Sequence, residues 1–178
     1  ARIPPFVHSS EVVVSKTISQ SLLPEFDHEM ANARRTLERV PEELAGWKPH
    51  EKSMSMGQLA YHVAGLPLWI TRSLTASEFD LRPEASGGQM TTRAALLEQF
   101  DTAVADARRH LADADDALLM QPWTFKKNGQ ALFSQPKLMV VRTFALNHLI
   151  HHRGQLSVYL RLNGVPVPGL YGPSADEM

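Results

Sequence analysis

The chain has 178 residues, with 18 Lys and Arg, 19 Asp and Glu, eight His and no Cys. A net charge of −1 gives no general pull towards nucleic acid or an anionic membrane, and the missing Cys excludes disulfides, thiolate zinc sites, iron–sulfur clusters and a Cys nucleophile. At 43% apolar the chain can bury one sizeable core; no stretch approaches the roughly 20 apolar residues of a transmembrane helix and no signal-peptide region is visible, so a cytoplasmic location is expected.

Residues 1–17 carry Pro4, Pro5 and a β-branched run at 12–14 without helical period, and are read as an N-terminal arm ahead of a single domain at 18–178. In a first helix, Leu22/Leu23, Phe26, Met30, Ala33, Leu37 and Val40 step by three or four and stop near Pro41. A second carries Met56, Leu59, Val63, Leu66 and Ile70 after an N-cap at Ser53 or Ser55, with a kink expected at Gly65 and Pro67. Residues 77–90 follow as a long loop that can reach roughly 45 Å. A 20-residue helix is about 30 Å long, so helices two and three could run parallel. The third helix starts from a Thr91/Thr92 cap and bears Leu97, Phe100, Val104, Ala107 and Leu111. Residues 117–136 form a second long loop, in which Asn128-Gly129 between Trp123-Thr124-Phe125 and Ala131-Leu132-Phe133 signals a small type I′ hairpin. The fourth helix runs from Pro136 to an Asn163-Gly164 C-cap followed by Pro166 and Pro168. These elements predict an all-α four-helix bundle.

The chemistry lies on helix four. Val141, Ala145, His148, His152, Gln155, Tyr159 and Leu162 step alternately by four and three, the spacing of a bundle seam. Two imidazoles and an amide thus replace apolar residues on an inward stripe. Unpartnered burial costs about 1–3 kcal/mol for each such group, and a metal ion would compensate. Residues i and i+4 lie about 40° apart around a helix and about 6 Å along it, so His148 and His152 can reach one ion. Leu149 follows His148, so the Glu general base of the metalloprotease motif is missing. His62, beside the apolar stripe of helix two, supplies a third ligand, and the predicted site is His62, His148 and His152 with one position open. His151, three residues from His148, is a competitor read as a flanking residue, and Gln155 could line the open position. His8, His28, His50 and His110 are read as surface residues. Trp47, Tyr61 and Trp69 are read as core or rim packing, and Arg34-Arg35 and Arg108-Arg109 as solvated helix faces.

The stretch from Trp47 through Tyr61-His62-Val63-Ala64 resembles the DinB-like (DinB/YfiT) superfamily. So do His148-Leu149-Ile150-His151-His152-Arg153-Gly154-Gln155-Leu156, Asn163-Gly164-Val165-Pro166 and the closing Tyr171-Gly172-Pro173-Ser174-Ala175-Asp176-Glu177. The resemblance covers about residues 18–178. It implies a bundle of up-down-down-up order, a homodimer, and a divalent ion, commonly nickel or zinc, bound by His62, His148 and His152. It further implies transferases or isomerases that use a low-molecular-weight thiol such as bacillithiol, mycothiol or glutathione. A metal-dependent hydrolase and a non-catalytic metal-binding or stress-response module are the alternatives. No nucleic-acid or membrane partner is expected, and the partner is a small molecule.

Overall fold

The computed structural model describes residues 15–82 and 88–177. Its elements are α1 (Thr17–Leu37), a 3₁₀ turn (Glu42–Leu44), α2 (Met56–Gly65), α3 (Leu68–Thr75), β1 (Glu78–Leu81), α4 (Arg93–Asp113), α5 (Asp116–Met120), β2 (Pro122–Lys127), β3 (Gln130–Pro136), α6 (Lys137–Val140), a π-helix (Val141–Asn147) and α7 (His148–Leu162). The strands form one mixed sheet in the order β1-β2-β3, with β1 parallel to β2 and β2 antiparallel to β3. The fold is therefore a mixture of helix and sheet, which overturns the expected all-α four-helix bundle. The hairpin part of this sheet carries its own signal, because Asn128 and Gly129 take the positive φ values of 52° and 80° that a type I′ turn requires. Strand β1 has none. Its four residues are too few to show a period, and they are held by distant partners: β2 along its length, and the Gly129 amide, which donates to both Asp80 carboxylate oxygens at 3.0 and 3.1 Å. The segment 77–90 is thus not a plain crossover loop, although residues 83–87 lie outside the described residues. Residues 1–14 of the expected arm, with His8, also lie outside them.

The local signals in the first half hold. Leu22, Phe26, Met30, Ala33 and Leu37 are all buried, as one face of α1 must be, and Val40, beyond the end of the helix, is buried as well. Ser55 caps α2 in a full capping box: its hydroxyl accepts from the Gln58 amide, and the Gln58 side chain accepts from the Ser55 amide. Such a cap contributes about 1 kcal/mol. The predicted kink is a break, where α2 ends at Gly65 and α3 starts again beyond Pro67. Thr92 caps α4, accepting from the Ala95 amide. The buried residues of α4 are Leu96, Phe100, Ala103, Ala107 and Leu111; Leu97 and Val104 are only partly buried.

The fourth helix departs from its predicted phase. Residues Val141–Asn147 wind as a π-helix, which takes an extra residue into the turn. The buried line becomes Val141, Ala145, Leu149, Arg153, Leu156 and Leu160. The expected seam through His148, His152 and Gln155 lies one residue off this line. Leu162, its last member, is 62% exposed.

Arg153, only 1% exposed, is the charge on the buried line. Its guanidinium donates to the Glu29 carboxylate at 2.6 Å, to the Glu29 carbonyl at 3.1 Å and to the Tyr171 hydroxyl at 2.6 Å, and that hydroxyl donates to Glu29 in turn. The network ties α7 and the C-terminal segment to α1. A second buried cation, Lys137, donates through Nζ to the carbonyls of Ala76 (2.9 Å) and Leu74 (3.5 Å) and so closes the C-terminus of α3. Cross-strand pairing puts Phe79, Phe125 and Phe133 on one face of the sheet. Phe125 and Phe133 stack at 5.4 Å between centroids, and Trp69 of α3 and Phe144 of the π-helix pack on the same cluster. Among the described residues no helix is long and apolar enough to cross a membrane.

Candidate metal centre

Helices α2 and α7 pack against each other and bring three imidazoles together. His62 stands on the last turn of α2, which the Ser55 cap starts and the Gly65–Pro67 break ends. His148 is the first residue of α7 after the π-helix, and His152 follows one turn later. Nε2 of His148 lies 3.3 Å from Nε2 of His62 and 2.9 Å from Nε2 of His152. One nitrogen of each residue lies within 4.8 Å of the other two. All three rings are half-buried.

The rings' outer nitrogens decide what the inner ones can do. His152 donates from Nδ1 to the Gln155 side-chain oxygen at 2.7 Å, which leaves a lone pair on Nε2. Burial, then repulsion from His152 and His148, pushes the His62 pKa down to about 4. Burial also lowers His148, against a hydrogen bond to the backbone of Phe144 that favours its charged form, and His151 lowers it further. Burial lowers His152 too, with the Gln155 bond opposing and His148 and His151 adding to the effect. All three rings are therefore neutral near pH 7, the form that ligates a metal.

These shifts set a pH dependence for the metal-free protein. Above the ordinary histidine value of 6.5, neither folded nor unfolded chain protonates these rings. As the pH falls below 6.5 the unfolded chain takes up protons first, so stability declines from there towards about pH 4, where folded His62 also protonates. Urea midpoints of chelator-treated protein should thus fall between neutral pH and about pH 5, and fall less in His62→Gln. Equal pH profiles for the two proteins would contradict the assignment.

The remaining candidates separate clearly. His151 is exposed and lies outside the cluster, its ring 4.8 Å from that of His152. Gln155 is exposed and acts through its bond to His152. His28 and His50 are exposed, while His110 is partly buried near Asp106. Trp47 packs edge-on against Tyr159 beside the core.

A cavity of about 650 Å³ opens beside the cluster and shares His62 with it. Trp69 and Tyr61 line it together with Gln58, Arg72, Phe79 and Gln99. Trp69 and Tyr61 are thus more than packing. Sequence reasoning missed the other four because they come from separate elements and share no spacing. Gly88 closes against Tyr61 so tightly that a Cβ there would come within 1.9 Å of the ring.

Three imidazoles on two packed helices, next to a cavity, fit a protein that binds a metal ion through histidine. The chain belongs to the DinB family, whose model matches residues 15–178. An uncharacterised protein of Bacillus subtilis (strain 168), YrdA, is 25% identical over 162 residues, spanning 87% of this chain and 89% of its own length. The crystal structure of a DinB-like protein from Bacillus cereus ATCC 10987 superposes with a TM-score of 0.67 at 19% identity, covering 85% of this chain and 97% of its own. That of the DinB-like protein YjoA from Bacillus subtilis gives 0.65 at 18% identity, covering 86% and 99%. At these identities the two structures share the fold.

Proposed function

We propose that this protein is a DinB-family transferase that holds one divalent ion, nickel or zinc, at His62, His148 and His152 and activates a low-molecular-weight thiol towards an electrophile. One observation carries the reading: three neutral imidazoles turn Nε2 atoms towards one another at 2.9 and 3.3 Å. In the tautomers that leave each Nε2 bare these lone pairs face one another, and a shared cation is the group that such a donor set fits. When bound, the ion would lower the pKa of a thiol and hold it as thiolate. The chain's own residues set the conditions for that chemistry. The imidazoles add no negative charge and leave the positive charge of the ion uncompensated. Gln155 fixes the tautomer and the orientation of His152. The cavity at His62 gives the electrophile a place beside the sulfur. The protein has no Cys, so the sulfur arrives with a substrate. In the transfer a sulfur–carbon bond forms, the bond to the leaving group breaks, and the thiol proton passes to solvent.

The test uses protein purified without chelator or metal-affinity resin, incubated with bacillithiol, mycothiol or glutathione and monochlorobimane. The expected result is thiol consumption that disappears on chelation and returns with nickel or zinc. Hydrolysis of esters or amides without thiol consumption would replace the transferase by a hydrolase. No turnover with either set would leave a metal-binding module.

A further inference from the structure

The cavity beside His62 has one charged group in its lining among the described residues, Arg72 of α3. The guanidinium carbon lies 5.2 Å from the ring centroid of Trp69 and 4.9 Å from that of Phe79. Two aromatic faces therefore hold the side chain in place in the lining of the cavity. Three other arginines, Arg34, Arg108 and Arg161, are paired with Asp carboxylates. Arg72 forms no ion pair among the described residues, and burial alone displaces its pKa, downwards. Arg72 is exposed, so its guanidinium, packed on two rings and free of a carboxylate partner among the described residues, is open to an incoming anion.

The rest of the lining defines the ligand's body. Met54, Leu66, Leu68 and Leu81 supply its apolar surface beside the aromatic rings, and Gln58 and Gln99 add neutral polar groups. The volume suits a small organic molecule. A single cation among neutral groups matches a single negative charge. A phosphomonoester dianion would call for more cations or a cluster of N–H donors, which this lining lacks among the described residues. We propose that Arg72 anchors the carboxylate of a small, largely apolar carboxylic acid in this cavity, whose apolar part extends towards His62. Such an acid would be the electrophilic partner of the thiol. This identification of the role rests on the transferase reading, while the anion site itself stands on the cavity.

The test measures binding of phenylacetate and hydrocinnamate, and of their primary amides, to metal-loaded protein by tryptophan fluorescence, since Trp69 lines the cavity. At least one acid should bind saturably, with a Kd at least about tenfold lower than that of its amide. Arg72→Gln should raise the acid's Kd to that of the amide and leave the amide's unchanged, and Arg72→Lys should restore part of the difference. Metal content measured on the same samples should be unchanged in both variants. Equal Kd values for acid and amide, an acid Kd that Arg72→Gln does not alter, or no saturable binding at millimolar concentration would each overturn the proposal. Acid binding without metal-dependent thiol consumption would sink the transferase reading alone. Thiol consumption without preference for the acids would sink the anion site alone.

Discussion

Replacing His148 with alanine should strip the ion from the protein. Wild-type protein should carry about one divalent ion per chain by elemental analysis, and His148→Ala should fall to background. Its Nε2 lies 3.3 Å from that of His62 and 2.9 Å from that of His152, so its loss opens the donor set on both sides. His62→Ala and His152→Ala should also lose the ion, and with it the thiol consumption. His151→Ala should keep about one ion, since His151 is exposed and stands outside the cluster. Gln155→Leu should be intermediate. It removes the acceptor that fixes the His152 tautomer, and outer partners of this kind are worth about 10–100-fold in metal affinity. An ion lost in His151→Ala but retained in His152→Ala would show that the ligand set is wrong.

Arg153→Met should cost about 3–5 kcal/mol of stability, because it leaves the Glu29 carboxylate buried without its cation. Glu29 is 5% exposed, and the Tyr171 hydroxyl would be its remaining side-chain partner. Met resembles Arg153 in its apolar stem, so lost packing contributes little and the unpaired charge dominates. Adding Glu29→Gln should recover part of the loss, since the stranded charge is then gone. Urea unfolding at neutral pH measures both. Arg34→Ala serves as the contrast. Its pair with Asp101 is 42% and 47% exposed, and losing it should cost less than about 1 kcal/mol. A small effect for Arg153→Met would mean that water reaches the Glu29 carboxylate.

The sequence discloses what is encoded locally. The α1 stripe, the Ser55 cap, the break at Pro67 and the Asn128-Gly129 turn each depend on residues within one or two turns of chain, and each was readable. The three imidazoles were also readable, two from their spacing on one helix and His62 as the only His of the second predicted helix, beside its apolar stripe. The structure brings these three together and leaves His151 outside. The sheet was not readable because β1 owes its existence to β2, far along the chain. The true phase of the fourth helix was hidden because nothing in Val141–Asn147 marks a wider turn, so the buried line appeared one residue away and Arg153 passed as part of a motif. Arg72 was hidden for a third reason. Its significance depends on Trp69 and Phe79, whose positions are set by the helix break and by the strand pairing.

The parallel pairing of β1 with β2 also bears on how the chain folds. Asp80 and Gly129 meet across 49 residues, and His62 and His148 across 86. Helical turns form within microseconds from neighbouring residues, whereas contacts of such separation must first close a long loop. The helices can therefore form early, while the sheet and the imidazole cluster wait for the two halves of the chain to meet. Amide exchange begun during refolding should accordingly protect α1 and α4 before β1, and the cluster, although it is carried on helices, belongs to the late, cooperative part of the molecule.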